Sequence, residues 1–449
     1  MFVAYDCNQY GADTIKYIAN KYDINFDIQE SITSEDVKVN QIDEFLYRSY
    51  LDKILCYVNR ISYGYNTNMI KHQVLAFCKS FQGYLKAAEK LISDYQPSAI
   101  LFGEDGLSGN CYLIKKAKEH NIPTLTIPYE ISGKEDLINA INEKYLNNEA
   151  LLFNKRESRF HKIIAQNHSK WITNTSHGQA TLFPVSYIAA RLINSLDLPD
   201  PWTTHGGSSD LLISESKIMT QHYISENIIP DKIYEAGSVY CDVLYEALNT
   251  NPIYQNAYTN KCKLKSNKTS ILVSIPPSYH ETRVGENEFS TYSEMITNIF
   301  NLIKVLNCET SVSIHPAVSE EQTNMIREAG FKITDKWLIE EIPAHDIYFT
   351  ISFSSTIRWG IASGKPVINY DAYNHNLKIY DHTQGFYSFN ELKKIGNCLQ
   401  ALMPDSQYSA VSHEIGKIRR EWGVLDGKNT ERINAIILSS ITKRLPLPK

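Results

Sequence analysis

Short, continuous apolar runs alternate with longer stretches of helical periodicity along much of this chain. The run at 98–102 ends before a glycine, a helix is predicted at about 108–120, and a second apolar run follows at 122–128. The same alternation returns in 211–237, and further strands are predicted at 271–275, 311–314, 347–352 and 366–370. Unbroken apolar strands are buried on both faces, which is typical of parallel sheets covered by helices. The sequence therefore predicts an α/β fold.

The length of the chain predicts more than one domain. Domains usually hold roughly 100–200 residues, and this chain has 449. A polar stretch at 249–270 separates two sets of predicted strands and is interpreted as a linker, with a hinge near 245–268. Before the first set, 41–62 and 68–95 have apolar residues at three- and four-residue spacing, which predicts helices. We therefore expect two Rossmann-like doubly wound domains, 1–248 and 249–449.

Charge and cysteine usage argue against several classes of function. Lys plus Arg number 45 and Asp plus Glu number 50, a net charge of −5, which argues against a nucleic-acid partner bound through bulk charge. The eight cysteines form no Cys-x-x-Cys pair, so we expect reduced thiols and no zinc site. No apolar run approaches the ~18 residues of a membrane span, and the first residues have the pattern of a strand instead of a leader. These features predict a cytoplasmic protein.

Several common cofactor and metal motifs are missing from the sequence. It contains no Gly-x-Gly-x-x-Gly, no Walker phosphate loop and no His-Glu-x-x-His. It also contains no Asp-x-Asp of the kind that would suggest a metal-bound sugar nucleotide. We therefore expect neither a cofactor nor a metal ion.

Two adjacent carboxylates follow the predicted strand 98–102. Glu104 and Asp105 lie between Gly103 and Gly106, at the predicted start of a helix. The glycines permit a tight turn and the close approach of a ligand. A carboxylate here can act on a substrate, or it can simply cap the helix while its neighbour is solvated.

Polar side chains also follow two strands predicted in the second half. His315 and Pro316 come after the strand 311–314, and a histidine there can donate to an anion or bind a backbone carbonyl. Ser354, Ser355 and Thr356 follow the strand 347–352 and lead into a helix. Hydroxyls and backbone N–H groups at a helix start can bind an anion, or the serines can serve only as caps.

Two further strand ends are predicted to face the same cleft. Pro276 and Ser278 follow the strand 271–275, where a nucleotide could approach. Asp371, Tyr373 and His375 follow the strand 366–370. Carboxyl ends of parallel strands meet at one edge of a sheet, so these side chains are candidates for one site.

The order and spacing of these motifs resemble those of a known family. Glu-Asp-Gly in the first half, His-Pro in the second and Ser-Ser about 40 residues further on are similar to the D/E-D/E-G, HP and SS/ST motifs of bacterial sialyltransferases and polysialyltransferases. Kdo transferases share a related scaffold and an HP element. The resemblance covers about 97–130 and 210–385, and it implies a GT-B fold in which two Rossmann-like domains face a cleft. It assigns the acceptor to 1–248 and the nucleotide sugar to 249–449.

What the resemblance implies for function is transfer of an acidic ulosonate (sialic, pseudaminic or legionaminic acid, or Kdo) from its CMP donor. The acceptor would be a glycan or glycolipid of a capsule or lipopolysaccharide. The resemblance favours Glu104 over Asp105 as the catalytic base, with Asp105 orienting it or the acceptor, and His315 would act in catalysis at the donor phosphate. The donor would be bound by His315, Pro316, Ser354, Ser355, Thr356, Pro276 and Ser278. Donors fixed around the leaving phosphate act where charge develops, without a metal.

Other functions and one further partner stay open. The second half also resembles CDP-glycerol transferases and UDP-GlcNAc 2-epimerases, and a non-catalytic glycan-binding protein could keep the same scaffold. Basic residues at 417–420 and 443–444, with Trp422 nearby, could touch an anionic inner-membrane leaflet peripherally. The same pattern also fits a solvated helix face.

Overall fold

The structure is a computed structural model. It describes residues 2–4, 67–106, 111–128, 131, 133–146, 152–155, 157–265, 268–277, 287–306, 308–315, 318–352 and 354–442. The helix predicted at 41–62, Ser278, Pro316 and the basic pair at 443–444 lie outside these residues.

The first half of the chain forms a parallel sheet with helices and one hairpin. Its strands are β1 Phe2–Ala4, β2 Ala99–Phe102, β3 Thr124–Thr126, β4 Thr173–Thr175, β5 Gly178–Ala180, β6 Leu211–Ser214 and β7 Ile233–Glu235. Its helices are α1 Thr67–Tyr95, α2 Cys111–Glu119, α3 Lys134–Leu146, α4 Arg159–Asn167, α5 Val185–Ile193 and α6 Lys217–Ser225. The described sheet has the order β1-β2-β3-β6-β7 with every pair parallel, whereas β4 and β5 form a separate antiparallel hairpin.

The second half forms a six-stranded parallel sheet. Its strands are β8 Ser270–Ile275, β9 Glu309–Ile314, β10 Lys332–Ile333, β11 Ile347–Ile351, β12 Val367–Tyr370 and β13 Phe386–Phe389. Its helices, and those that flank it, are α7 Val239–Asn249, α8 Pro252–Asn260, α9 Tyr292–Val305, α10 Glu320–Glu328, α11 Leu338–Glu341, α12 Ile357–Ala362, α13 Leu392–Leu402, α14 Asp405–Trp422 and α15 Asn429–Ile441. The order β10-β9-β8-β11-β12-β13 is the Rossmann order, with its switch point between β8 and β11.

The predicted α/β fold class, with two Rossmann-like domains, is confirmed. The apolar runs form strands because the second sheet is covered on both faces. In β8, Ile271 and Val273 belong to one buried cluster and Leu272 to the cluster on the opposite face. Full burial of such a side chain stabilises the fold by about 1.5–3 kcal/mol. Continuous apolar sequence is therefore what this sheet requires.

The prediction of a linker at 249–270 is wrong for residues 252–260, which form helix α8. The Asn251 side chain accepts a hydrogen bond from the N–H of Ile253 at 2.9 Å, and Pro252 occupies the first turn. The Tyr258 ring is half-buried, and the Arg419 guanidinium lies 3.7 Å from its centre. The segment is polar because most of this short helix faces solvent, and polarity alone does not distinguish such a helix from a linker.

The helices at the end of each half pack across the predicted boundary. Helix α7 contributes Leu244 and Leu248 to a cluster of the second sheet, whereas α15 contributes Ile433 and Ile437 to a cluster of the first sheet. Asp242 joins the two helices, because its carboxylate accepts from the N–H groups at the start of α15 at 2.8 and 3.0 Å. The two halves are therefore linked by exchanged helices, and the boundary at 248/249 stays a prediction.

Candidate functional site

The carboxyl edge of the second sheet holds most of the residues predicted to bind the donor. Pro276 follows β8, and the N–H of His315 donates to the carbonyl of Ile275 at 3.1 Å, so the ends of β8 and β9 adjoin. Ser354 and Ser355 follow β11, on the other side of β8. Neighbouring strands are about 4.8 Å apart, so β9 and β11 are roughly 10 Å apart. That spacing lets His315 and the serines approach one ligand from two sides.

Burial affects the protonation state of His315 at this edge. Partial burial lowers the pKa of His315, which favours the neutral ring at physiological pH. A neutral imidazole can still donate one N–H to a phosphate oxygen.

The hydroxyls after β11 form a connected group. The oxygens of Ser354 and Thr356 are 2.7 Å apart, and Thr356 Oγ1 also lies 2.5 Å from the hydroxyl of Tyr348. Ser352, just before them, has a φ of +54°, a left-handed conformation that costs a non-glycine residue roughly 1–2 kcal/mol. Backbone strain of this kind is often stored at ligand sites. The loop after β11 is thus held in a defined shape, in which Thr356 is already engaged within the protein.

A cavity of about 220 Å³ lies where the two halves meet, next to this loop. Its described lining comes from α3, from Ile131 three residues before that helix, and from the segments that follow β11 and β12: Ile131, Asp136, Asn139, Ala140, Glu143, Ser354, Ser355, His375, Leu377 and Tyr380. Whole-ligand pockets usually measure about 300–1,000 Å³, so the size suits a sugar-sized group. Ser354 and Ser355 are therefore brought together with His375, which the sequence also placed near the cleft.

Contacts across the cavity join the first half of the chain to the second. The side-chain amide of Asn139 donates to the carbonyl of His375 at 3.3 Å, and His375 Nε2 lies 3.2 Å from Glu143 Oε1. The carboxylate of Asp371 fixes the His375 loop by accepting the N–H groups of His375 and Asn376, both at 2.9 Å. The imidazole is thus positioned from both sides of the cleft.

One carboxyl of the cavity, Asp136, is perturbed by its surroundings. Burial raises its pKa, while the N–H of Gly133, donating at 2.9 Å, and the nearby His375 act in the opposite direction. A carboxyl with a raised pKa in a cleft is a candidate for a functional group, although structural networks also shift pKa values.

The two carboxylates predicted to supply the catalytic base, Glu104 and Asp105, lie in the first half, against the loop 203–209. Asp105 is 1% exposed, and its Oδ2 accepts the N–H of Ser209 at 2.7 Å. Burial raises the pKa of Asp105, with the Ser209 hydrogen bond and the charge of Lys232 opposing it. Glu104 is also buried, and neither carboxylate is among the described residues that line the cavity. The catalytic role of Glu104 stays a prediction.

Close packing of the backbone explains why position 106 in this turn is a glycine. The N–H of Gly106 donates to the carbonyl of Thr204 at 2.8 Å, and an added Cβ would meet the Thr203 carbonyl oxygen at 2.2 Å. Close backbone approach, and not a ligand, accounts for Gly106.

A buried ion pair also crosses between the halves and was not predicted. Arg358 in α12 binds Glu215, which follows β6, at 2.5 Å, and their side chains are 1% and 5% exposed. Arg358 lies two residues after Thr356, so the pair ties the loop after β11 to the first sheet. No local signal indicates the pairing, because it depends on how the domains meet.

The polar face of α3 was likewise missed, although a signal was present. Asp136, Asn139, Ala140 and Glu143 follow the i, i+3, i+4, i+7 spacing of one helix face. A polar stripe at that spacing is compatible with a cleft as well as with solvent.

The remaining expectations concern metals and membranes. In the part of the chain that the structure describes, no group of three or more His, Cys, Asp or Glu side chains is placed to hold a metal, and no helix is long and apolar enough to cross a membrane. In the basic stretch of α14, Lys417 pairs with Glu414 at 2.6 Å, and Arg419 lies on Tyr258. Contact with a leaflet stays a prediction.

No protein-family model and no curated protein matches the sequence. Among solved structures, the chain is similar to a UDP-GlcNAc 2-epimerase from Neisseria meningitidis bound to UDP-GlcNAc, with 12% identity, a TM-score of 0.49, and coverage of 99% of this chain and 100% of that one. It is also similar to the wall teichoic acid polymerase TagF, with 15% identity, a TM-score of 0.45 and coverage of 78% and 74%. A third is the S. aureus MnaA–UDP structure, with 12% identity, a TM-score of 0.45 and coverage of 82% and 80%. At these values the likenesses carry no argument about function.

Proposed function

We propose that the chain is a GT-B-type glycosyltransferase that moves an acidic ulosonate from its CMP donor to a cell-surface glycan or glycolipid. The proposal is supported by the strand order, in which β9 and β11, the strands that precede His315 and Ser354, lie on either side of β8 at the carboxyl edge of a Rossmann-ordered sheet. Ser354 and Ser355 also line a cavity together with residues of the first half. In such sheets, ligands bind at the switch point beyond the strand ends. The second domain would bind the nucleotide and the first the acceptor.

The chemistry of a CMP-ulosonate fits this edge. Its anomeric C–O bond breaks through an oxocarbenium-like state while negative charge grows on the departing phosphate. Hydrogen-bond donors fixed around that phosphate stabilise the charge as it develops. His315, Ser354 and Ser355 would supply these donors, with Pro276 at the nucleotide side, and no metal would be required.

The experiment is a nucleotide panel with matched variants. Thermal stabilisation by CMP, and not by UDP or CDP, is expected. His315→Ala should weaken CMP binding by about 1–3 kcal/mol, the range for a hydrogen bond to a charged group. Ser355→Ala should weaken it less. The same substitution at His413, an exposed residue of α14, is the control and should leave CMP affinity unchanged.

The panel also separates the alternatives. Preference for CDP would favour a glycerophosphotransferase, and preference for UDP a sugar 2-epimerase. Binding of a glycan without any turnover would favour a non-catalytic protein. Turnover should survive a chelator, whereas strict metal dependence would reject the proposed leaving-group chemistry.

A further inference from the structure

We infer that His375, paired with Glu143 across the cleft, is the base that deprotonates the acceptor hydroxyl. The inference rests on the proposed function and deepens it, and it gives His375 the role that the sequence suggested for Glu104. The feature that carries it is a carboxylate–histidine pair in the same cavity as Ser354 and Ser355.

We assign the tautomer of the ring from the geometry of the pair. His375 Nε2 lies 3.2 Å from Glu143 Oε1, and a carboxylate accepts but does not donate, so the proton is on Nε2. The lone pair is then on Nδ1, which makes that atom the proton acceptor. In catalytic triads, a carboxylate holds the imidazole in the correct tautomer and stabilises the imidazolium that forms, and Glu143 would do the same for His375.

The partial burial of the pair supports a chemical role. The side chains of His375 and Glu143 are 17% and 26% exposed. They are thus shielded from bulk water but still reachable from the cavity. The Glu135–Lys378 pair joins the same helix to the same loop at 2.8 Å, but its side chains are 46% and 70% exposed and neither lines the cavity. The Glu135–Lys378 pair is therefore a control: it joins the same two elements but cannot act on a ligand in the cavity.

The pair is complete only when the two halves of the chain are together. Glu143 lies on α3 in the first half, and His375 follows β12 in the second. Domain closure would therefore assemble the base at the moment that it excludes water from the donor.

The acceptor oxygen forms a bond to the anomeric carbon of the donor, and its proton passes to His375 Nδ1. The bond from the anomeric carbon to the phosphate oxygen breaks, and its electron pair leaves with CMP. The phosphate of CMP then accepts hydrogen bonds from the hydroxyls of Ser354 and Ser355. The imidazolium, stabilised by Glu143, then returns its proton to water.

The test measures release of CMP from CMP-N-acetylneuraminic acid by the full chain, with and without a mixture of glycan acceptors. His375→Ala should lower kcat by roughly 10²–10⁴, the usual contribution of a general base, with CMP affinity within about twofold. Added imidazole should restore part of the activity, which a purely structural defect would not allow. The Glu135→Gln and Lys378→Met controls should stay within about twofold of wild type.

The outcomes distinguish the two levels of the proposal. The assignment of the base would be overturned if the wild type releases CMP, His375→Ala keeps full activity and Glu104→Gln loses its activity instead. The proposed function would then still stand. Equal losses in the His375 and Lys378 variants, without rescue by imidazole, would reduce the pair to a domain clamp. Absence of CMP release by the wild type would overturn both.

Discussion

The buried ion pair between Glu215 and Arg358 provides a quantitative test of how the two halves meet. Both side chains are almost fully inaccessible; Glu215 follows β6 in the first half, and Arg358 lies on α12 in the second. Arg358→Met keeps much of the apolar stem but leaves the Glu215 carboxylate buried without its cation. Removal of one partner of a buried pair costs about 3–5 kcal/mol, because the remaining charge is neither solvated nor neutralised. We expect a loss of that size in the free energy of unfolding.

The assay is urea denaturation followed by tryptophan fluorescence, with a double-mutant cycle. Arg358→Met combined with Glu215→Leu removes both charges and should recover most of the loss, to within about 2 kcal/mol of wild type. The control is Lys217→Met, which breaks an exposed pair with Glu421 that also joins the two halves, at 2.9 Å. An exposed pair contributes at most about 1 kcal/mol.

Two results would refute this reasoning. If Arg358→Met cost no more than Lys217→Met, the pair would not be buried in solution. If the double variant were as unstable as the sum of the single variants, the two side chains would not interact. Either outcome would mean that the two halves do not meet through this buried pair.

Two other predictions concern the turn after β2. Gly106→Ala should destabilise the protein by about 3 kcal/mol, because the new Cβ would lie 2.2 Å from a backbone oxygen of Thr203 that cannot move aside. The control is Gly83→Ala in α1, which has open space around it and should stabilise the protein by about 1 kcal/mol. Equal effects of the two substitutions in urea denaturation would contradict the close packing at Gly106. The free energy of unfolding of the Asp105→Asn variant should increase relative to that of the wild type as the pH rises from about 4 to 8. Burial raises the folded pKa of Asp105 above its unfolded value, so the stability from the bound proton is present at low pH and is lost as the pH rises through the folded pKa. A difference that does not change with pH would reject this assignment.

Strands were predictable in this chain because their signal is local. The run 211–214 has the predicted bounds, and the other predicted strands differ by a few residues at their ends. Strand β13 at 386–389 was missed, because Phe-Tyr-Ser-Phe has partly exposed side chains at the edge of the sheet and gives no clear apolar run.

The site was predictable only on one side of the cleft. Residues that follow strands of one sheet, such as Ser354, Ser355 and His375, can be grouped from sequence because parallel strands share an edge. The facing residues, Glu143 and Asp136, lie on a helix of the other half. Their approach to His375 depends on domain packing, which no local pattern encodes.

The central claim is that this edge binds and activates a CMP-ulosonate. The most direct measurement is mass spectrometry of the nucleotide released when the full chain is incubated with a mixture of CMP-, CDP- and UDP-activated sugars and a glycan extract. Our account predicts release of CMP, loss of the CMP-linked ulosonate and loss of this activity in His315→Ala. Release of UDP or CDP with intact CMP donors, or of no nucleotide at all, would contradict it.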